Sequence, residues 1–123
     1  MGKKVLISCR DESCLAYLTS ILNGMDVQSK VLLDDRDFLL EILEQDYPVV
    51  IYDLKDDGVN NIKMVKIIKK IRPKIALIVL SGDLSEELGG KVLQEGVAYY
   101  GVKPAHAEAL VTAVANALNL HYS

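Results

Sequence analysis

Short apolar stretches typical of buried β-strands alternate with helix-like stretches along the whole chain of 123 residues. Val49–Tyr52 is one such strand, and the spacing of Leu15, Leu18 and Leu22 is typical of one face of a helix. The connections are short, which requires the strands to run parallel and the helices to cover both faces of the sheet. We therefore predict one α/β domain over residues 1–123, with five repeats of a strand followed by a helix.

The apolar pattern and the helix-breaking residues also predict where the elements begin and end. The predicted strands are 5–7, 27–33, 49–52, 75–80 and 97–102. Asn23–Gly24 should end the first helix, one of the aspartates near residue 35 should cap the second, and Arg72–Pro73 should end the third. The fourth helix, predicted over 85–94, is weakened by Gly89–Gly90.

Composition argues against several classes of protein. The formal net charge of −3 gives no general attraction to nucleic acid, and no apolar segment approaches the roughly 20 residues of a membrane helix. No secretory signal or glycine-rich dinucleotide fingerprint is present. The two cysteines, Cys9 and Cys14, do not form a disulfide framework, so a reducing cytoplasm is the expected location.

Polar side chains follow three consecutive predicted strands. Asp53 ends the third strand, Ser81 the fourth and Lys103 the fifth, just before Pro104. Sites in parallel sheets form at the carboxyl ends of the strands, so these side chains should meet in one pocket. A carboxylate can act as a nucleophile, while a hydroxyl and an ammonium group can bind phosphoryl oxygens.

The segments around these positions resemble the receiver domains of two-component response regulators, and the resemblance covers nearly the whole chain. It rests on Pro48–Leu54, Ile78–Gly82 and Gly96–Pro104. The resemblance implies a flavodoxin-like, doubly wound sheet with strand order 2-1-3-4-5 and helices on both faces. It also implies phosphorylation of Asp53 by a histidine kinase, with Tyr100 as an aromatic switch and a cis bond before Pro104.

The sequence departs from this family where two acidic residues should follow the first strand. Cys9 and Arg10 stand there instead, so the Mg²⁺ expected for the family is doubtful. The remaining candidate ligands are Asp53 itself, Asp11 and the backbone carbonyl of Lys55, with Asp56 as a further acid nearby. We expect Arg10 to pair with Asp53 as a built-in cation and to lower the pKa of that carboxyl group.

Three functional interpretations remain open. The chain is a working phosphoacceptor at Asp53, or a phosphorylation-independent pseudo-receiver that acts by binding partners. A more remote alternative is a phosphocysteine carrier of the IIB type that uses Cys9. Phosphate-binding loops of that kind need glycines or a downstream arginine, but the loop from Cys9 to Cys14 has no glycine, and Leu15 stands where the arginine is expected. Cys9 is interpreted as a small buried hydrophobe, in preference to one half of a redox pair with Cys14.

The resemblance also sets expectations for partners. We expect the chain to be a signalling switch and not an enzyme. It should contact a histidine kinase or other signalling proteins, and it should bind neither nucleic acid nor membrane directly. Because Gly89–Gly90 loosens the fourth helix and few apolar residues remain for an exposed patch, we expect a monomer or a weak homodimer.

Overall fold

The computed structural model describes residues 4–54, 61–82, 85–103 and 106–119, so Lys55, Asp56 and Pro104 lie outside the described residues. Strands and helices alternate along the chain. They are β1 (Lys4–Ser8), α1 (Glu12–Gly24), β2 (Gln28–Val31), α2 (Asp35–Glu44), β3 (Val49–Asp53), α3 (Asn61–Ile71), β4 (Ala76–Ser81), α4 (Glu86–Gln94), β5 (Tyr99–Val102) and α5 (Ala107–Ala117). The five strands form one parallel sheet in the order β2-β1-β3-β4-β5, which confirms the predicted fold.

The largest differences from the predicted boundaries are at the two edge strands. Strand β2 pairs only with β1 and β5 only with β4, and both are shorter than their apolar patterns suggested. An edge strand has a partner on one side alone, so fewer of its residues are fixed in the ladder. Helix α2 is capped by Asp34, whose carboxylate accepts the backbone N–H groups of Arg36 and Asp37.

The core has two layers because successive strand residues point to opposite faces of the sheet. Val5 and Ile7 face the layer formed with α1 and α5, whereas Leu6 faces α2, α3 and α4. Cys9 continues the first series and is buried in the same layer. This alternation directs the Cys9 side chain toward the face of β3 that carries Ile51 and, two residues later, Asp53.

Within the part of the chain that the structure describes, no helix has the length and apolar character needed to cross a bilayer.

Candidate functional site

The carboxyl ends of the central strands bring Asp53 and Lys103 into contact. Backbone hydrogen bonds continue the sheet past both strand ends, from Leu54 N–H to the Leu80 carbonyl and from Lys103 N–H to the Ser81 carbonyl, each 2.8 Å long. The Lys103 ammonium lies 2.9 Å from Oδ2 of Asp53. The Asp53 side chain is only 9% exposed and that of Lys103 is 21% exposed, so the ion pair is largely shielded from water.

Ser81 ends the strand that lies between β3 and β5. It is buried, and its carbonyl is fixed by the Lys103 backbone. The structure therefore places Ser81 at the same edge of the sheet as the ion pair. A role for its hydroxyl in binding phosphoryl oxygens stays a prediction.

Asp11, named from the sequence as a candidate ligand, supplies a second carboxylate to this edge of the sheet, but its contacts were not predicted. It is the N-cap of α1, and its Oδ1 accepts the backbone N–H of Cys14 at 3.2 Å. Its Oδ2 lies 3.5 Å from the Lys103 ammonium, so Lys103 bridges two carboxylates. An aspartate placed just before a helix is a recognisable capping signal and could have located this side chain from the sequence.

Cys9 also contacts Asp53. Its Sγ lies 3.5 Å from both Oδ2 of Asp53 and the carbonyl of Asp11, so these two acceptors share its single S–H proton. Interaction with the Cys14 thiol, burial and the charge of Asp53 all raise the pKa of Cys9. Cys9 is therefore held as a neutral thiol, which argues against a nucleophilic thiolate and so against the phosphocysteine alternative.

Arg10 does not pair with Asp53, and that expectation is wrong. Its guanidinium donates to the carbonyl of Leu33, beyond the end of β2, at 3.3 Å. Arg10 is the residue after Cys9, and its side chain leaves the backbone toward β2 instead of β3. Among the residues that the structure describes, the cation that Asp53 contacts is Lys103.

The expected lowering of the Asp53 pKa is also wrong. Burial raises the pKa of this carboxyl group above its usual value, although the hydrogen bonds from Lys103 and Cys9 act in the opposite direction. Oδ1 of Asp53 is buried and has no hydrogen-bond partner among the described residues. Within the described part of the chain, one oxygen of the carboxylate is thus held by two donors, while the other is buried and has no donor.

Tyr100, the predicted switch residue, packs inward from β5 against α4. A methyl group placed on Gly89 would lie 3.2 Å from Cε2 of the Tyr100 ring, so the ring occupies the space that a side chain at residue 89 would fill. The Tyr100 hydroxyl is buried and has no hydrogen-bond partner within the described ranges. Gly89, which was expected only to weaken α4, therefore leaves the space that the Tyr100 ring occupies.

A family model described as the response regulator receiver domain matches residues 5–115. The chain belongs to this family. The transcriptional regulatory protein ZraR of Salmonella typhimurium is 24% identical to this receiver domain over 93% of the chain. The chain spans only 20% to 26% of the length of the curated relatives it matches.

Solved receiver domains have the same fold. A CheY-like receiver domain protein from Methanospirillum hungatei superposes with a TM-score of 0.82 at 21% identity, over 97% of this chain and 95% of that one. A receiver domain protein from Clostridium thermocellum gives a TM-score of 0.80 at 26% identity, over 97% and 95% of the two chains. These likenesses confirm the doubly wound architecture of this receiver domain.

The described residues of this receiver domain do not fit the Mg²⁺ ion that the family implies, and the candidate donors Lys55 and Asp56 lie outside them. Mg²⁺ requires near-octahedral oxygen coordination. Asp11 uses one oxygen as a helix cap and the other on Lys103, and Oδ2 of Asp53 is also taken by Lys103. Cys9 presents a protonated sulfur, which is a poor ligand for a hard cation. Within the described residues, no three His, Cys, Asp or Glu side chains are grouped to hold a metal ion.

The two adjacent glycines of α4 should respond differently to alanine. Gly90→Ala should stabilise the receiver domain by about 1 kcal/mol, because alanine is the better helix former and the new methyl group meets nothing within 4 Å. Gly89→Ala should add little to the free energy of unfolding, because its methyl group crowds the Tyr100 ring. Urea denaturation of both variants measures the difference, and equal gains would show that Tyr100 does not rest against α4.

Proposed function

We propose that this receiver domain is a protein–protein switch whose input is the transfer of a phosphoryl group to Asp53. The observation that carries the proposal is the unequal environment of the two carboxylate oxygens. Oδ2 is held by Lys103 at 2.9 Å, whereas Oδ1 is buried and has no partner among the described residues. A carboxylate that is fixed through one oxygen and desolvated at the other is oriented for attack through the second.

The transfer needs no change in oxidation state. Oδ1 of Asp53 attacks phosphorus and forms a new P–O bond, while the bond from phosphorus to the donor breaks and the leaving group keeps its electron pair. The donor is a phosphohistidine, which leaves as imidazole, or a small acyl phosphate, which leaves as a carboxylate. The Lys103 ammonium offsets the negative charge that develops, and the Ser81 hydroxyl is the proposed donor to a phosphoryl oxygen.

The partners in this proposal are proteins. A histidine kinase, or another signalling protein, supplies the input, and the output passes through contacts of the receiver surface. Tyr100, packed against Gly89, is the proposed link between the site and that surface. No direct binding to nucleic acid or membrane and no enzyme activity of its own are proposed, and assembly as a monomer or weak homodimer stays a prediction.

A second candidate is a phosphorylation-independent interaction module, and the composition of the site favours it. Two carboxylates and one ammonium group leave a net negative charge when both acids are ionised, and Asp11 therefore repels an incoming phosphoryl group. The described donors also do not fit the cation that would neutralise this repulsion. In this case, Asp53 and Lys103 form a structural ion pair, and partner proteins bind a surface whose conformation does not change.

Incubation with acetyl phosphate distinguishes the two candidates. We expect intact mass to show one added phosphoryl group in the wild-type protein, also in the presence of a chelator, because no step depends on Mg²⁺. Asp53→Asn should lose the label completely. Asp46→Asn is the matched control, since the Asp46 side chain is 94% exposed and should leave labelling unchanged.

Absence of the label under all conditions would overturn phosphoryl transfer and support the interaction module. Phosphorylation that requires Mg²⁺ would show that groups other than the described carboxylates also bind the ion at this site.

A further inference from the structure

The outer sides of α2 and α3 carry apolar side chains that the fold leaves exposed. Phe38 on α2 and Val65 on α3 are buried in the same core layer, so the two helices cover the same face of the sheet. On their outer sides, Leu40 is 49% exposed, Leu43 58% and Ile67 41%. We call these three side chains the α2–α3 patch. It is more exposed apolar surface than the sequence suggested, and removing such surface from water favours association.

Neighbouring contacts place the patch along the seam between the two helices. Glu41 pairs with a lysine of the edge strand β2 at 2.9 Å and so marks the side of α2 away from α3. Leu43 is two residues later, about 200° around the helix, and therefore points toward α3. On α3, Lys69 marks the side toward α4, because a methyl group on Gly96, just after α4, would lie 3.9 Å from its Cε. Ile67 is two residues earlier, again about 200° around the helix, and points toward α2.

The two helices carry opposite charges on either side of this patch. Along α2, four acids outnumber one arginine, whereas α3 carries four lysines and no acid. The exposed members are Asp37 and Glu44 on α2, and Lys63, Lys66 and Lys70 on α3. None of these five side chains forms an ion pair with another described residue. The surface therefore has an apolar centre with an acidic border on one side and a basic border on the other.

We propose that this surface of α2 and α3 binds the same surface of a second copy of the receiver domain. Because the two borders have opposite charge, the surface is complementary to itself when one copy is turned over onto the other. The patches of the two copies bury each other at the centre, and the acidic border of each copy meets the basic border of its partner.

The course of the helices allows this arrangement. Both helices connect strands of one parallel sheet, so they run in the same direction. The Arg72 guanidinium donates to the carbonyls of Ile42 and Leu43 at 3.0 and 3.1 Å, which sets the ends of α3 and α2 side by side. A two-fold axis along the seam then places Lys70 opposite Glu44 of the second copy. A two-fold axis across the helices would instead place α2 on α2 and α3 on α3, where like charges repel.

The dimer should be weak and separate from the phosphoacceptor site. Three apolar side chains make a small centre, so the dissociation constant should lie between micromolar and millimolar. Asp53 and Lys103 lie at the carboxyl edge of the sheet and are not part of this surface. Association is therefore expected whether or not Asp53 accepts a phosphoryl group.

Sedimentation of the whole chain from micromolar to millimolar concentration tests the proposal. We expect the wild-type protein to associate, and high salt to weaken the dimer because it screens the charged borders. Lys70→Glu and Glu44→Lys should each weaken it at least tenfold at low salt, because each sets two pairs of like charges across the interface. Lys91→Glu is the matched control, since this exposed lysine lies on α4 and should leave association unchanged.

A mixture of the two variants is the decisive measurement. Between a Lys70→Glu chain and a Glu44→Lys chain, one contact is the wild-type pair and the other is the same pair with its charges exchanged. The mixture should therefore dimerise about as tightly as the wild-type protein, while each variant alone does not. Circular dichroism establishes that each variant is folded.

A wild-type chain that stays monomeric at millimolar concentration would overturn the proposal. A dimer that both variants leave intact, or a mixture that stays monomeric, would overturn it as well. None of these outcomes depends on acetyl phosphate, so failure of phosphoryl transfer and failure of this inference are separate results.

Discussion

Replacing Lys103 with Met should lower the free energy of unfolding at neutral pH by about 3 kcal/mol. Met keeps the length of the aliphatic part of the side chain but removes the ammonium group that lies 2.9 Å from Asp53. The Asp53 carboxylate is only 9% exposed, and one of its oxygens already lacks a donor among the described residues. Among the described residues, the variant would therefore leave this buried charge with a single weak donor, the Cys9 thiol.

Two further variants distinguish the loss of the charge partner of Asp53 from the general effect of removing a lysine. Lys91→Met removes an ion pair with Glu87 whose side chains are 59% and 80% exposed, so the change should stay within about 0.5 kcal/mol. Asp53→Asn combined with Lys103→Met should recover at least half of the loss, because no buried charge remains. Urea denaturation measures all three, and a double variant as unstable as Lys103→Met alone would contradict the explanation.

The pH dependence of the Lys103→Met effect follows from the pKa of Asp53. Burial raises this pKa in the folded chain above the usual value of 3.8, so protonation of Asp53 favours the folded state. The stability from this group is fully present below pH 3.8 and is lost as the pH rises through the folded pKa. Lys103→Met raises the folded pKa further, so its penalty should be largest at neutral pH and shrink in acid.

The fold and the central ion pair could be predicted because both follow from repeated patterns. Alternating strands and helices with short connections allow few topologies, and parallel strands carry their final residues to one edge of the sheet. Asp53 and Lys103 meet for this reason, although fifty residues separate them in the chain. Their contact depends on strand ends and not on the detail of any loop.

The surroundings of the pair were predicted less well because they depend on the turn between β1 and α1. Arg10 and Asp11 are adjacent, yet Arg10 contacts the end of β2 while Asp11 turns back to cap α1 and reach Lys103. Charge alone favoured Arg10 as the partner of Asp53. Strand alternation, which places Cys9 and not Arg10 on the face of Asp53, would have been the better guide.

The direction of the Asp53 pKa shift required knowledge of burial. The sequence shows which cations are near, but not how much water the carboxylate loses. Desolvation outweighs the favourable contacts with Lys103 and Cys9, and the pKa rises. A count of nearby charges therefore gave the wrong sign.

Introducing two carboxylates by Cys9→Asp and Arg10→Asp together should raise the affinity of this receiver domain for Mg²⁺ by at least tenfold. Residue 9 lies next to Oδ2 of Asp53, so a carboxylate there would add a hard oxygen donor where the protein now holds a sulfur. Changing Arg10 also removes a positive charge beside β1, where it now donates to the Leu33 carbonyl. A carboxylate at residue 9 adds to the repulsion between Asp11 and Asp53 around Lys103, so a divalent cation relieves a larger repulsion than in the wild-type site.

The matched control is Cys9→Asn with Arg10→Asn, which has nearly the same shape as the double Asp variant but no added negative charge. It should bind Mg²⁺ no more tightly than the wild-type protein. Without metal, the double Asp variant should be less stable than this control. Millimolar Mg²⁺ should remove this difference, because an ion that binds only the folded state stabilises it. Calorimetric titration and thermal unfolding measure the two effects. Equal affinities for the Asp and Asn variants would show that the missing acids are not what excludes Mg²⁺, and that Lys103 and the helix cap at Asp11 keep the remaining oxygens occupied.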